Sequence, residues 1–457
     1  YEIVFKTTVT RKEAQSILAA TNGWVMGIVL AAHPFAQKGN KRSNILRDGD
    51  RNKRINESKD GSILNYFEEE IFSHLSNDLH DTFLLLSYLD EIDVNLARVL
   101  TGLDAIDQEL DRMADENFFV YRLDDDRKVF RFHHLFQEFL QIKGKQSFGD
   151  HGVSTLYNTI ADYYLDRDQI EKALKPLQNS GNFTRMEMVM KQWGLQLVAQ
   201  NRTVAIFGIL QTIPEDILRK HTWLAFFYGL LATDSNPRQS LPYFETCRTQ
   251  FAQNNDEAGE LMSLSQIIYF HFVISGRYQL GSMLLNRTQT LFERNHRNLP
   301  VDITIIVARN LAAGYCFFEG KMDQAIHYAT LGYDLAKKRG SGNFIAATKF
   351  ILGYIALLSG NRRSAKHEIE QSFHLASDPL VGMSNRLTLH IMQLCELSMH
   401  GGSAGFRHQK ELIQASVDEN IVRQTVAAPY LYIWSAIEMI ARGNITEALD
   451  TLDRGMM

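Results

Sequence analysis

The sequence predicts a mainly α-helical chain, with a small winged-helix (α+β) domain followed by a right-handed α-solenoid of tetratricopeptide type. Three observations carry this. Only eight prolines interrupt 457 residues, so long stretches lack helix breakers. Glycines recur at intervals of 40 to 44 residues at Gly276, Gly320, Gly360, Gly401/Gly402 and Gly443. Between helical segments, residues 118–132 switch to a period of two around a turn cluster, the pattern of a β-hairpin.

In the first segment, residues 1–35, residues 11–33 read as two short helices around the turn Thr21-Asn22-Gly23, followed by the apolar run Trp24 to Ala32. Residues 36–62 change character. From Lys38 to Lys59 there are eight Lys/Arg against three Asp/Glu, a composition that reads as a solvated linker or long loop. A nucleic-acid contact is the alternative, but no aromatic residues are interleaved for base stacking.

Residues 63–145 read as the winged helix. Ile63, Tyr66, Phe67, Ile71 and Phe72 fit one helix face, and further helices follow at Leu79–Leu89, Val94–Leu100 and Ile106–Met113. Phe118 to Leu123 and Lys128 to Phe132 form the hairpin about Asp124-Asp125-Asp126, and a helix runs from Leu135 to Ile142. The candidate recognition helix, Asp93 to Leu100, carries Arg98 as its only base, which argues against DNA reading here.

Residues 146–457 read as helix pairs. Gly281, Ala325, Ala365 and Ala448 each stand five positions after a periodic glycine. A glycine ends the first helix of a pair, and a small residue lets the second helix approach closely. One step upstream, the phase falls on Asp234-Ser235-Asn236-Pro237, another turn. The aromatic cluster Tyr315, Phe317 and Phe318 reads as core rather than groove.

Composition narrows the functional classes. Apolar residues make up 45% and charged residues 22%, with net charge −5, so the chain as a whole is not a polyanion-binding surface. Cys247, Cys316 and Cys395 stand far apart, with no CxxC pair for zinc, and a reducing, cytoplasmic compartment is expected. No apolar run approaches the ~20 residues of a membrane helix, and no membrane association is expected. The chain opens on Tyr1 rather than Met, which suggests a fragment or a processed product.

No P-loop, Rossmann glycine cluster or HExxH string occurs, and no catalytic residue set or metal site is expected. Gly401-Gly402-Ser403-Ala404-Gly405 matches GxSxG but falls where an interhelix turn is due, without the preceding strand that a nucleophile elbow needs. Leu84 to Glu91 resembles a Walker B strand and reads instead as a helix end. His133-His134, between the hairpin and a helix, is a candidate for a structural role or for contact with phosphate at the helix N-terminus.

The string from Phe119 to Leu140, with its His133-His134-Leu135-Phe136, resembles the winged-helix hairpin of the signal-transduction ATPases with numerous domains (STAND). Among these it is most similar to the large transcription activators of the MalT and LuxR type. Glu13 to Ala32 resembles the end of the helical subdomain that follows the nucleotide-binding domain. Tyr66 to Glu70 and Leu84 to Asp90 resemble the winged-helix core, and the repeat resembles the sensor. The resemblance implies a two-state switch built on ADP/ATP in the parent protein. His133 would touch the ADP phosphates in the resting state, and Gly23 would lie on the adenine side. His134 stands where many relatives carry Asp, and the adenine-side Gly-x-Pro reads Gly23-Trp24-Val25 here. The implied partners are an upstream ATPase domain and an inducer, protein or peptide in the solenoid groove; DNA would be bound only through a domain outside this chain. The alternative reading is a non-enzymatic scaffold.

Overall fold

The structure is a computed structural model describing residues 67–68, 72, 77–115, 119–124, 126, 128–399, 403–416 and 428–456. The expected subdomain end, Gly23 and the basic linker lie outside the described residues. The chain divides into two compact units, Tyr1–Arg167 and Asp168–Met457.

In the first unit, α1 (Asn77–Leu86) leads to a two-residue strand β1 (Ile92–Asp93) and then to α2 (Val94–Thr101) and α3 (Ile106–Asp115). Strands β2 (Val120–Asp124) and β3 (Val129–Phe132) form the expected hairpin, and β1 pairs with the far side of β3, giving the order β1-β3-β2. Sequence reasoning missed β1, because two residues carry no readable alternation. Asp93 starts α2 by accepting from the Asn95 and Leu96 N–H groups at 2.9 and 3.1 Å, a side-chain N-cap. Gly102, at φ 70°, ends it. The Walker-B-like string lies at the end of α1 and in the turn to β1, and its Glu91 pairs with Arg131.

The hairpin leads into α4 (His134–Leu165), which is bent at Gly149, where φ is 66° and ψ 175°. The expected helix ends at Ile142, whereas α4 continues past the bend. Leu156, Ile160 and Tyr163 join Phe83, Phe130, Phe132 and Phe136 in one core. Contact density therefore divides the chain after Arg167, beyond the boundary at 145 expected from the sequence. The physical reason is that the second half of α4 buries its apolar face against the winged helix.

The second unit is helical throughout its described residues. It begins with α5 (Ile170–Asn179), α6 (Phe183–Ala199), α7 (Thr203–Gln211), the short α8 (Glu215–Leu218), α9 (Thr222–Ser235) and α10 (Pro237–Gln253). The turn expected at Asp234–Pro237 contracts to Asn236 alone, since α9 runs through Ser235 and Pro237 opens α10. Five helix pairs follow: α11 (Glu257–Phe270, with a π turn at His271–Ser275) and α12 (Tyr278–Asn295); α13 (Val301–Phe317) and α14 (Met322–Arg339); α15 (Gly342–Leu358) and α16 (Arg362–Ser372); α17 (Met383–Met399) and α18 (Ser403–Ser416); α19 (Ala428–Ala441) and α20 (Ile445–Met456).

Gly276, Gly320, Gly360 and Gly443 all have positive φ at the turn inside a pair, the left-handed cap that glycine adopts without a Cβ penalty. Five residues on, the close approach is equally plain. A Cβ on Gly281 would lie 2.2 Å from the Phe318 ring, and Ala325, Ala365 and Ala448 are buried. Ser403 opens α18, and α17 is the element before it. A helix thus stands where a nucleophile elbow would need a strand. Tyr315 is core, and Phe317 and Phe318 are half-buried.

Candidate functional site

Two places in the fold gather functional side chains: the start of α4 in the first unit and the inner helices of the second.

His133 is the N-cap of α4. Its backbone N–H donates to Phe119 O at 2.7 Å, which joins it to the hairpin entry. Its Nδ1 accepts from the Leu135 N–H at 3.3 Å. The ring is only 4% exposed, lies edge-on to Phe119 and stacks at 4.6 Å on the exposed His134. Burial, with a smaller contribution from His134, pushes its pKa down to about 4. A helix N-terminus also disfavours a cation. The imidazole is therefore neutral at pH 7. With Nδ1 engaged as an acceptor, the ring proton sits on Nε2, a donor of the right polarity for a phosphate oxygen. His134 and the half-exposed Tyr121 border it. The sequence-predicted structural role is thus present, and the phosphate role fits in polarity. Gly23 lies outside the described residues.

The cations of the winged helix have acidic partners within the domain. Arg98 and Lys128 both reach Asp107, at 3.1 and 2.7 Å. Arg122 bridges Asp111 and Asp115, and Arg131 pairs with Glu91. Lys128 first, and Arg98 after it, hold the Asp107 carboxyl down at about 2. A DNA-reading face presents its cations to phosphate, and these are already neutralised locally.

The second site is a cavity on the first helices of the successive pairs. Tyr269 of α11 and Phe272 of the π turn form one wall. Arg309, Asn310 and Ala313 come from α13, and Ala347, Phe350 and Ile351 from α15. Asn385, Thr388 and Ile391 come from α17, and Tyr430 from α19. Five consecutive inner helices therefore contribute. The space between the walls, mouth included, is about 550 Å³, but room for water-sized molecules is only about 40 Å³, enough for roughly three waters.

The polar groups are held by neighbours. Asn310, fully buried, donates through Nδ2 to Ser265 O at 2.9 Å and accepts from Arg309 Nε at 2.9 Å. The Arg309 guanidinium lies 5.0 Å over the Tyr269 ring. Asn385 Nδ2 donates to Asn343 Oδ1 at 3.1 Å, and Thr388 Oγ donates to Asn385 O at 2.8 Å. Tyr430 reaches back across the unit, its hydroxyl donating to Phe272 O at 3.4 Å. Sequence reasoning named none of these residues. One signal was present: Arg309-Asn310 interrupts the otherwise apolar Ile305 to Phe317, and a polar pair in a buried helix marks a satisfied network or a site.

Among the described residues no cluster of three or more His, Cys, Asp or Glu could hold a metal, and no helix is long and apolar enough to cross a membrane. Cys247, Cys316 and Cys395 are free and buried.

Fold and site together define a winged-helix domain followed by a tetratricopeptide-like helical unit with an internal cavity. Residues 68–150 match the MalT winged helix domain. The chain is 22% identical over 170 residues to the HTH-type transcriptional regulator MalT of Vibrio campbellii, covering 37% of this chain and 19% of that protein. It is 23% identical over 240 residues to the serine/threonine-protein kinase PknK of Mycobacterium tuberculosis, covering 52% of this chain and 21% of the kinase. The chain thus spans about a fifth of the length of the curated relatives it matches. A crystal structure of a STAND protein with a tetratricopeptide repeat sensor, from Pyrococcus horikoshii, superposes with a TM-score of 0.56 at 11% identity, over 98% of this chain and 69% of that one. The chain resembles the STAND regulators of MalT type, carrying the winged helix and the repeat unit in that order.

Proposed function

We propose that this chain is the regulatory, sensor-type part of a STAND switch, of the kind found in MalT-like transcription activators. The inner cavity carries the proposal: a tetratricopeptide-like unit that only scaffolded a partner would present an open groove. Here five inner helices converge on a partly closed space bordered by Tyr430. An effector bound there shifts the switch by its difference in affinity for the two states.

The winged helix holds the resting state in this reading. Neutral His133 would donate from Nε2 to a phosphate oxygen of ADP, and Gly23 would lie on the adenine side. ADP supplies the negative charge that fastens the winged helix to an ATPase domain upstream. DNA binding belongs to a domain outside this chain, and no reaction is assigned to the chain itself. The three free, buried cysteines suit a reducing, cytoplasmic setting.

The test is a thermal melt of the chain with a metabolite extract passed through a 1-kDa membrane, beside the cavity-filling variant Ala347→Met. A rise in Tm that Ala347→Met abolishes, with unchanged far-UV circular dichroism, is expected. No rise, or an equal rise in both proteins, refutes the cavity as effector site. For the resting state, native parent protein carrying His133→Ala is expected to copurify with less ADP than wild type; equal nucleotide content refutes that role.

A further inference from the structure

We infer that the face of α17 turned away from the inner cavity carries a second ligand site, for a small hydroxycarboxylate monoanion, built from Arg386, His390, Gln393 and Gln409. Helix geometry separates this site from the cavity. At about 100° per residue, Asn385, Thr388 and Ile391, which line the cavity, centre on one side of α17. Arg386, His390 and Gln393 centre almost opposite, within about 60° of one another. Two neighbouring elements meet that face. Phe373, in the short turn after α16, stands edge-on to the His390 ring at 5.4 Å, and Gln409 of α18 donates through Nε2 to His390 Nδ1 at 2.7 Å.

Two buried polar atoms on that face are unmatched: neither Arg386 Nε nor Gln393 Oε1 has a hydrogen-bond partner. Among the described residues no carboxylate pairs with Arg386, and the one acid of α17, Glu396, pairs with Arg362 at 3.9 Å. Buried polar atoms in folded chains are nearly always paired. Two orphans on either side of a histidine, on one helix face, point to a shared partner. With Nδ1 accepting from Gln409, the proton of His390 sits on Nε2. Burial, and after it the charge of Arg386, hold the ring below its usual pKa, so it offers a neutral N–H donor at pH 7.

These groups set the ligand class. Arg386 supplies one positive charge and a planar fork that fits a carboxylate. Gln393 carries an unmatched acceptor, and a carboxylate can only accept, so the ligand brings a donor of its own. A hydroxyl meets that need. An ammonium would stand beside the Arg386 cation with no unpaired acid to offset it, and the second charge of a phosphate exceeds what one cation balances. Arg386 and Gln393 lie two helical turns, about 10 Å, apart along the axis. Their side chains close part of that gap, which leaves a few carbons between carboxylate and hydroxyl.

The test is calorimetric titration of the full chain, at millimolar concentration, with β-hydroxybutyrate and γ-hydroxybutyrate. Butyrate, the neutral γ-hydroxybutyramide and inorganic phosphate are titrated beside them. At least one hydroxycarboxylate is expected to bind about tenfold or more tightly than the amide, the range a charge-assisted hydrogen bond supplies, and severalfold more tightly than butyrate. Arg386→Met should abolish that binding and raise the Tm of the ligand-free chain, because an unpaired, partly buried cation is removed. Gln393→Leu, which leaves the charge in place, should bind hydroxycarboxylates no better than butyrate. Ala347→Met, which fills the inner cavity, should bind them like wild type. The assignment is overturned if no hydroxycarboxylate binds, if butyrate, the amide or phosphate binds as well, or if Arg386→Met or Gln393→Leu binds like wild type. Loss of binding in Ala347→Met would put the anion in the inner cavity and overturn it too.

Discussion

Replacing His133 with Asn keeps the helix cap and removes the titration, and the consequence can be sized. Asn is among the best N-cap residues, its side-chain oxygen accepting where Nδ1 now does. In the folded chain His133 is held at about 4 against an ordinary 6.5, chiefly by burial. Above pH 6.5 neither the folded nor the unfolded state carries the proton, and the full stability is present. Between 6.5 and 4 the unfolded chain takes up a proton that the folded chain refuses, so stability falls with pH. At about 1.36 kcal/mol for each pH unit, the loss at pH 4 is about 3 kcal/mol. His271 and His390 are also lowered by burial, so the second unit weakens in acid too and the readout must be local. Hydrogen exchange of peptides from residues 130–165, corrected for intrinsic rates and followed from pH 7 to pH 4, supplies it. Wild type should lose protection there by about 3 kcal/mol more than His133→Asn. Parallel loss in the two proteins would refute the claim that His133 is buried in its neutral form.

Other consequences are as direct. A Cβ on Gly194 would lie 2.3 Å from Cζ of the fully buried Phe227, so Gly194→Ala should cost about 1–3 kcal/mol in urea unfolding followed by tryptophan fluorescence. Gly276→Ala meets open space but must hold φ at 62°, and about 1 kcal/mol is expected from the backbone alone. Lys349, 3% exposed, is paired with Glu368 and hydrogen-bonded to Gln371. Glu368→Gln strands a buried cation and should destabilise by about 3 kcal/mol in the same assay. Asp107 is held at about 2 by Lys128 and Arg98, so its contribution is present above pH 3.8 and lost as pH falls towards 2. Asp107→Asn should flatten that part of an acid titration followed by circular dichroism, and an unchanged curve would count against the bridge.

The repeat was legible because its punctuation is local. A glycine that must adopt positive φ and a small residue five positions later are constraints within one helix pair, and four such glycines stand at the turns expected of them. The hairpin was legible for the same reason, its strands being five and four residues long and joined by acidic turn residues. The two-residue strand β1 was not, since its pairing with Phe130 and Val129 is long-range. The course of α4 past Ile142 was not legible. The bend at Gly149 sends α4 back over the core through Leu156, Ile160 and Tyr163, and nothing near residue 149 announces where the helix then packs. His133 was legible as a cap by its position, but its neutral state required the burial of its ring. The cavity was illegible because its walls come from helices about 40 residues apart, each showing at most three side chains.

The hydroxyl of Tyr430 bonded to the carbonyl of Phe272 changes how the repeat unit should respond to damage. In an array of stacked pairs, each pair ordinarily answers only to its neighbours, and losing the last one leaves the earlier ones intact. Here residues 158 apart in sequence meet over one void. Fraying of α19 unroofs a cavity whose floor lies three and four pairs away. A molecule lodged beside Tyr430 would fasten α19 to α11 and α13. Cooperativity would then extend beyond adjacent pairs, and occupancy would register as one concerted melting transition of pairs that melt separately when the cavity is empty.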